Sequence, residues 1–207
     1  MTVRVVTDSV SDLPPQVVEE LGITVVPLNV RFGTEVYRDG VDLSAEQFYE
    51  RLRQSRNLPV TSVPTPAAFA QAYDRLAEET NEILVITLTA KLSGTHEVAL
   101  QSVGLMKKRC RVEVVNSQWA VMAEGFIVMA AARAARAGAS LDETIATVRR
   151  NISRVDMRAT FDTLEYLARG GRIGKAQAFL GSMLKVNPII GMKGGEVHIH
   201  GNADSWL

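Results

Sequence analysis

The run Glu82–Thr89, EILVITLT, is apolar at almost every position, and it leads into a polar turn, KLSGT, and a helical pattern. A strand with apolar residues on both faces must be covered on both sides, as a central strand of a parallel sheet is covered by helices. The first two thirds of the chain repeat that grammar. VRVVTDS (3–9) is a β-branched run. DLPPQVVEELG (12–22) then offers Asp12 as a helix cap, prolines at the entry and Gly22 as the stop. ITVVPLNVRF (23–32) reads as the next strand, with Pro27 placing it at an edge or a bulge. LSAEQFYERLRQS has Ser44 and Gln47 in capping-box spacing and Phe48 and Leu52 on one face. PAAFAQAYDRLAEE has Thr65 as N-cap and Pro66 at the first helical position. A helix over Thr95–Lys108, the strand VEVVNS, an Ala-rich helix and the helix LDETIATVRRNIS complete the series. Strand and helix in alternation predict an α/β fold with a parallel sheet and right-handed crossovers.

From Met157 the pattern changes to a strand, short helices and a hairpin in which NPIIGMK and EVHIHG flank Gly194–Gly195. The expectation is an N-terminal parallel α/β sheet domain over 1–155. The start of a second, incomplete α/β domain with antiparallel strands follows over 156–207.

Bulk properties exclude several functions. Lys+Arg and Asp+Glu stand at 23 each, so net charge recruits neither nucleic acid nor an anionic membrane. Aromatic residues make up 6% and do not interleave with basic ones, against a stacking surface for single strands. Cys110 is the only cysteine, which excludes an internal disulfide and a cysteine-based metal cluster and fits a reducing cytoplasm. TVRVVTDS follows Met1 without a signal-peptide pattern. WAVMAEGFIVMAAARAARAG is interrupted by Glu124, Arg133 and Arg136, short of the roughly 20 apolar residues of a membrane span, so it reads as a buried helix.

Three polar trios follow strand-like runs: TDSVSD (7–12), TSVPT (61–65) and SGT (93–95). Ligands of open α/β sheets bind outside the carboxyl ends of the strands, and helix N-termini there favour anions. Each trio alone is most simply a cap; together they suggest one anion site. Ser93 with His96 offers a hydrolase or phosphoryl-transfer alternative, but the G-x-S-x-G elbow and an orienting acid are lacking, and His96 reads as a helix-surface residue. GGRIGKA (170–176) lacks the phosphate-loop spacing and reads as an exposed turn presenting Arg172. His198 and His200 share one strand face without a third ligand, so no metal site is expected. Asp8, Asp12, Asp39 and Asp42 read as cap and turn residues.

In order along the chain, VTDSVSDLP, TSVPTPAAF, LSGTHEVA, VNSQWAVMAEGFIV and TLEYLARGGRIGKAQAFLGSMLKVNPII resemble the DegV family of bacterial fatty-acid-binding proteins. The resemblance covers Val3 to about Val197. It implies two α/β domains clasping one acyl chain, palmitate- or oleate-like, and no cofactor. It also implies a role as the non-catalytic lipid carrier of a fatty acid kinase, whose separate ATP-dependent subunit phosphorylates the carboxylate. Carried over residue by residue, Thr61 and Ser93 would hold the carboxylate, with Ser62, Gly94 and Thr95 beside them and Arg172 facing the kinase partner. Family members run on beyond this chain's end and carry a late histidine segment that His200 does not replace. The chain therefore reads as C-terminally short, with an exposed sheet edge that favours self-association. A relative that binds nothing is the remaining alternative.

Overall fold

The computed structural model describes residues 2–55, 57–179 and 188–202. Part of the stretch FLGSMLKVN and the residues after Asn202 lie outside the described residues.

The chain opens with β1 (Arg4–Asp8), a 3-10 turn (Ser9–Ser11), α1 (Pro15–Leu21) and β2 (Thr24–Val26). Next come β3 (Asn29–Phe32), β4 (Glu35–Arg38), α2 (Ala45–Gln54), β5 (Val60–Ser62) and α3 (Pro66–Leu76). Then follow β6 (Glu82–Thr87), α4 (Thr95–Val103), β7 (Arg111–Asn116), α5 (Val121–Arg136) and α6 (Leu141–Ile152). The last described elements are β8 (Arg158–Thr160), α7 (Glu165–Arg169), a 3-10 segment (Gly174–Phe179), β9 (Pro188–Lys193) and β10 (Glu196–Asn202).

A parallel sheet in the order β2-β1-β6-β7 carries the fold, with Val6 opposite Val85 and Val85 opposite Val114. The alternation of β6 explains its continuous apolar run. Leu84 and Ile86 pack with Val5, Ile127, Val128 and Leu141 on the α5–α6 side. Ile83 and Val85 pack with Phe69, Tyr73 and Leu76 on the α3 side. Both faces are dry, and all five residues from Ile83 to Thr87 are buried. Because β1 is followed on one side by β2 and on the other by β6, the strand order reverses between β1 and β6. Their carboxyl ends mark a switch point of the kind where α/β folds bind ligands.

Two smaller antiparallel sheets flank this core, one ordered β4-β3-β5 and the other β10-β9-β8. The first revises the sequence expectation for 23–32. Rather than one strand, the segment breaks at Pro27–Leu28 into β2 and β3, which belong to different sheets. Pro27 has no N–H for a ladder, and the Leu28 amide leaves the sheet to donate to Ser9 Oγ at 3.1 Å.

The local signals at helix ends divide in the same way. Ser44 and Gln47 form the expected capping box, Thr65 caps α3 ahead of Pro66, and α1 stops at Gly22. Asp12 does not cap α1. It closes the preceding 3-10 turn in a left-handed conformation at φ 52°, and α1 starts after Pro14 without a side-chain cap. Helix α4 ends at Val103, five residues short of the expected Lys108, where Gly104 takes over. No described helix is long and apolar enough to cross a membrane.

Candidate ligand-binding site

Ser93, Gly94 and Thr95 leave the carboxyl end of β6 and open α4, as the sequence suggests. Gly94 is the N-cap and supplies no side-chain cap, so the helix start offers its partial positive charge to a ligand. Ser93 Oγ lies 2.9 Å from Thr95 Oγ1 and accepts from the Thr95 amide at 3.3 Å. Thr95 is fully buried, whereas Ser93 is half-buried and Gly94 exposed, so Ser93 presents the accessible hydroxyl of the trio.

Thr61 and Ser62 arrive from another direction. They are not at the end of the parallel sheet; they lie in β5, the edge of the sheet β4-β3-β5, where Thr61 pairs with Val30 and Ser62 with Asn29. All three residues of β5 are exposed. The following residue closes the gap to the SGT turn: a Cβ built on Gly94 would sit 3.8 Å from Val63 Cγ1, in ordinary van der Waals contact. Asn29 Nδ2 donates to the Val63 carbonyl at 3.2 Å and fixes this segment.

Beside β5 lies a cavity of about 710 Å³, lined by Leu52, Leu58, Val60, Thr61, Tyr166 and Arg172 among others. Its size falls within the roughly 300–1,000 Å³ of small-molecule sites, and its wall mixes apolar Leu52, Leu58, Val60 and Leu167 with Thr61, Arg169 and Arg172, a combination that suits an amphiphile. Ser93 is not among its lining residues, but Arg172 connects the two places. Its Nε donates to the Leu92 carbonyl at 3.2 Å, next to Ser93, while its Nη1 donates to Gly170 O at 2.6 Å. A slightly larger groove of about 800 Å³ runs along the free edge of β2 past Ser9, Asp12 and Asp39 and contains neither Thr61 nor Ser93.

The hydrolase pairing of Ser93 with His96 finds no support in the geometry. His96 is half-buried rather than on the helix surface, and its Nδ1 lies 3.0 Å from Oγ1 of the buried Thr87. Desolvation lowers its pKa, with Glu97 opposing. The hydrogen bonds of Ser93 Oγ run to Thr95, not to His96. Among the described residues no group of three or more His, Cys, Asp or Glu side chains could hold a metal ion. The rings of His198 and His200 stand 6.0 Å apart.

The sequence did not reveal a buried acidic pair at the switch point. Asp8 accepts from the amides of Val10 at 3.0 Å and Leu88 at 2.9 Å, tying the end of β1 to the end of β6. Burial pushes its carboxyl up to about 6, against the two backbone bonds that pull it down. Glu124, in the first turn of α5, is fully buried; it accepts from Thr7 Oγ1 at 3.2 Å, and its Oε2 has no hydrogen-bond partner among the described residues. Desolvation first, and the neighbouring Asp8 second, hold its pKa well above the ordinary value. Glu124 is the one acid of α5, set among apolar residues ahead of the terminal arginines, and that is the signal that could have flagged it. The switch point is thus filled by the protein's own carboxyls, and the accessible polar groups are displaced toward Ser93 and Thr61.

A family model described as "Uncharacterised protein, DegV family" matches residues 2–205. A DegV domain-containing protein of Deinococcus radiodurans is 40% identical over 201 residues, covering 97% of this chain and 71% of that one. Among solved structures, a DegV family protein from Thermus thermophilus, described with fatty acid binding, superposes with a TM-score of 0.90 at 37% identity, over 98% of this chain and 72% of that one. DegV of Bacillus subtilis, described as a fatty acid binding protein, gives 0.89 at 31% identity, over 97% and 71%. Matched along nearly its whole length in sequence and in fold, the chain belongs to the DegV family.

Proposed function

We propose that this protein binds one long-chain fatty acid, palmitate- or oleate-like, with the carboxylate held by the hydroxyls of Thr61 and Ser93. The observation that carries the proposal is the approach of two chain segments from different sheets, where Val63 stands close enough to Gly94 to touch a Cβ placed there, together with a cavity of mixed apolar and polar lining that contains Thr61. Ser62, Gly94 and Thr95 frame the head group, and the uncapped start of α4 favours its negative charge. Charge-assisted hydrogen bonds of this kind contribute about 1.5–3 kcal/mol each. The hydrocarbon adds about 0.8 kcal/mol per buried methylene, so the tail supplies affinity and the hydroxyls set orientation. The fatty-acid binding described for the Thermus and Bacillus relatives supports the ligand class.

The acyl chain lies between the unit of residues 1–155 and that beginning at 156, and the carrier, in the cytoplasm, presents the carboxylate to a separate fatty acid kinase through a surface that includes Arg172. It performs no chemistry itself. Native mass spectrometry of gently purified protein tests the proposal. An added mass of one C16 or C18 fatty acid, regained by delipidated protein on exposure to palmitate or oleate, is expected. A bare chain that takes up neither overturns it.

A further inference from the structure

The turn that carries Ser93 is held from outside its own sheet. Thr89, fully buried after β6, donates from Oγ1 to the carbonyl of Gly195 at 3.0 Å. The same oxygen accepts from the Lys91 amide at 3.3 Å, and the Leu92 amide donates to Thr89 O at 3.1 Å. One hydroxyl therefore bonds the turn of the β9–β10 hairpin on one side and the turn leading into Ser93 on the other.

The surroundings reinforce that link. Gly195 is left-handed at φ 83°, and a Cβ there would lie 2.5 Å from Thr89 Oγ1 and 3.3 Å from Lys91 Cγ, so only glycine permits the approach. Leu92 packs against the core of the parallel sheet and against the core formed by Leu164, Ile173, Ile190 and Val197. Met192 of β9 is buried in the core of the parallel sheet. Glu196 approaches Lys91 Nζ at 4.0 Å and Lys175 Nζ at 3.5 Å, exposed pairs that add little energy but agree in placement. From the opposite side, the β7 loop fixes the start of the turn through Thr89 N to Trp119 O at 2.8 Å and Ala90 N to Asn116 Oδ1 at 3.3 Å.

We infer that Thr89 and the Gly194–Gly195 turn are positioning residues for the Ser93 turn, so that docking of the β9–β10 hairpin and capture of an anionic head group at Ser93 are one coupled event. This rests on the fatty-acid reading of the site. Linkage makes the coupling reciprocal: whatever orders the turn for the ligand is in turn ordered by the ligand.

Hydrogen exchange of the whole chain, with and without palmitate, combined with displacement of a fluorescent fatty acid, tests the inference. Thr89→Val keeps the shape but removes the hydroxyl. It should weaken palmitate binding roughly ten-fold, as loss of about one hydrogen bond allows, and speed exchange at residues 90–95 while β6 stays protected. Thr89→Ser should match the wild type. Palmitate should slow exchange in β10 of the wild type but not of Thr89→Val, a response that a purely structural role would not move. Unchanged affinity and unchanged exchange at 90–95 in Thr89→Val overturn the inference. Should that variant melt throughout, Gly195→Ala decides from the hairpin side: faster exchange spreading to 90–95 supports the coupling, and faster exchange in the hairpin alone refutes it. If the wild type takes up no palmitate, the fatty-acid reading fails, while exchange at 90–95 in the ligand-free variants still settles whether the hairpin positions the turn.

Discussion

Two side chains, Thr61 and Ser93, carry the head-group proposal, and their surroundings make the substitutions interpretable. Thr61 is exposed on an edge strand, and Ser93 is half-buried in a turn, so neither fills the core. Thr61→Val or Ser93→Ala should weaken fatty-acid binding by about ten- to a hundred-fold, given about 1.5–3 kcal/mol per charge-assisted bond, with the melting temperature unchanged for Thr61→Val and lowered for Ser93→Ala, which also removes the bonds to Thr95. Equal affinity in an equilibrium titration of both variants would refute their roles. Gly125 is a contrasting residue. A Cβ there would meet Ser11 O at 2.5 Å and Leu13 Cδ2 at 3.2 Å, because α5 presses on the 3-10 turn after β1. Gly125→Ala should cost about 1–3 kcal/mol of stability, read from chemical denaturation; a variant as stable as the wild type would show that the turn yields freely. At this scale the sequence was informative where one residue type implies one local geometry, as at Ser44 with Gln47 or Thr65 with Pro66. It misled at Asp12, since an aspartate before prolines can close one turn as readily as cap the next. It marked Glu124 as an acid within a buried helix but did not pair it with Thr7 and Asp8, more than a hundred positions away.

The elements around the switch point hold two acids where water cannot reach, and this has a pH signature. Both carboxyls are pushed upward by burial: Asp8 from 3.8 to about 6, and Glu124 well above 4.5. A buried acid with a raised pKa binds its proton more tightly in the folded protein than in the unfolded chain. Its contribution to stability is therefore full below the unfolded value and is lost as pH rises toward the folded one. For Asp8 the loss falls between pH 3.8 and about 6, on the order of 3 kcal/mol. For Glu124 it begins near 4.5 and extends upward. Glu124→Gln stays neutral at every pH, so its stability relative to the wild type should improve as pH rises above about 4.5. A relative stability that is flat from pH 4 to 8 in urea titrations would contradict the burial argument. Strand membership illustrates what element-level patterns leave open. The apolar run of β6 announced a doubly covered strand, but nothing local assigned β3 and β5 to a separate sheet. Three- and four-residue strands owe their pairing to partners some thirty residues away, as Val30 does to Thr61.

In the whole molecule, segments from three sheets lie near the turn that carries Ser93: the turn itself follows β6 of the parallel sheet, Val63 after β5 lies near Gly94, and Gly195 between β9 and β10 accepts from Thr89. Fold class and the presence of antiparallel strands after Met157 were legible because alternation and Gly-Gly turns are periodic or local signals. The nearness of Val63 to Gly94 and the bond from Thr89 to Gly195 were not, since they cross long sequence separations. A ligand that joins these segments should stabilise the whole: at a hundred-fold excess over Kd, palmitate should add about 2.7 kcal/mol and raise the melting temperature by roughly 5–10 °C. An unshifted transition would speak against binding between them. The most direct measurement is a crystal structure of this chain grown with palmitate. Electron density for an elongated chain is expected in the cavity beside β5, with its carboxylate within hydrogen-bond distance of the Thr61 and Ser93 hydroxyls. A head group bound elsewhere, or an empty cavity at saturating palmitate, would contradict it.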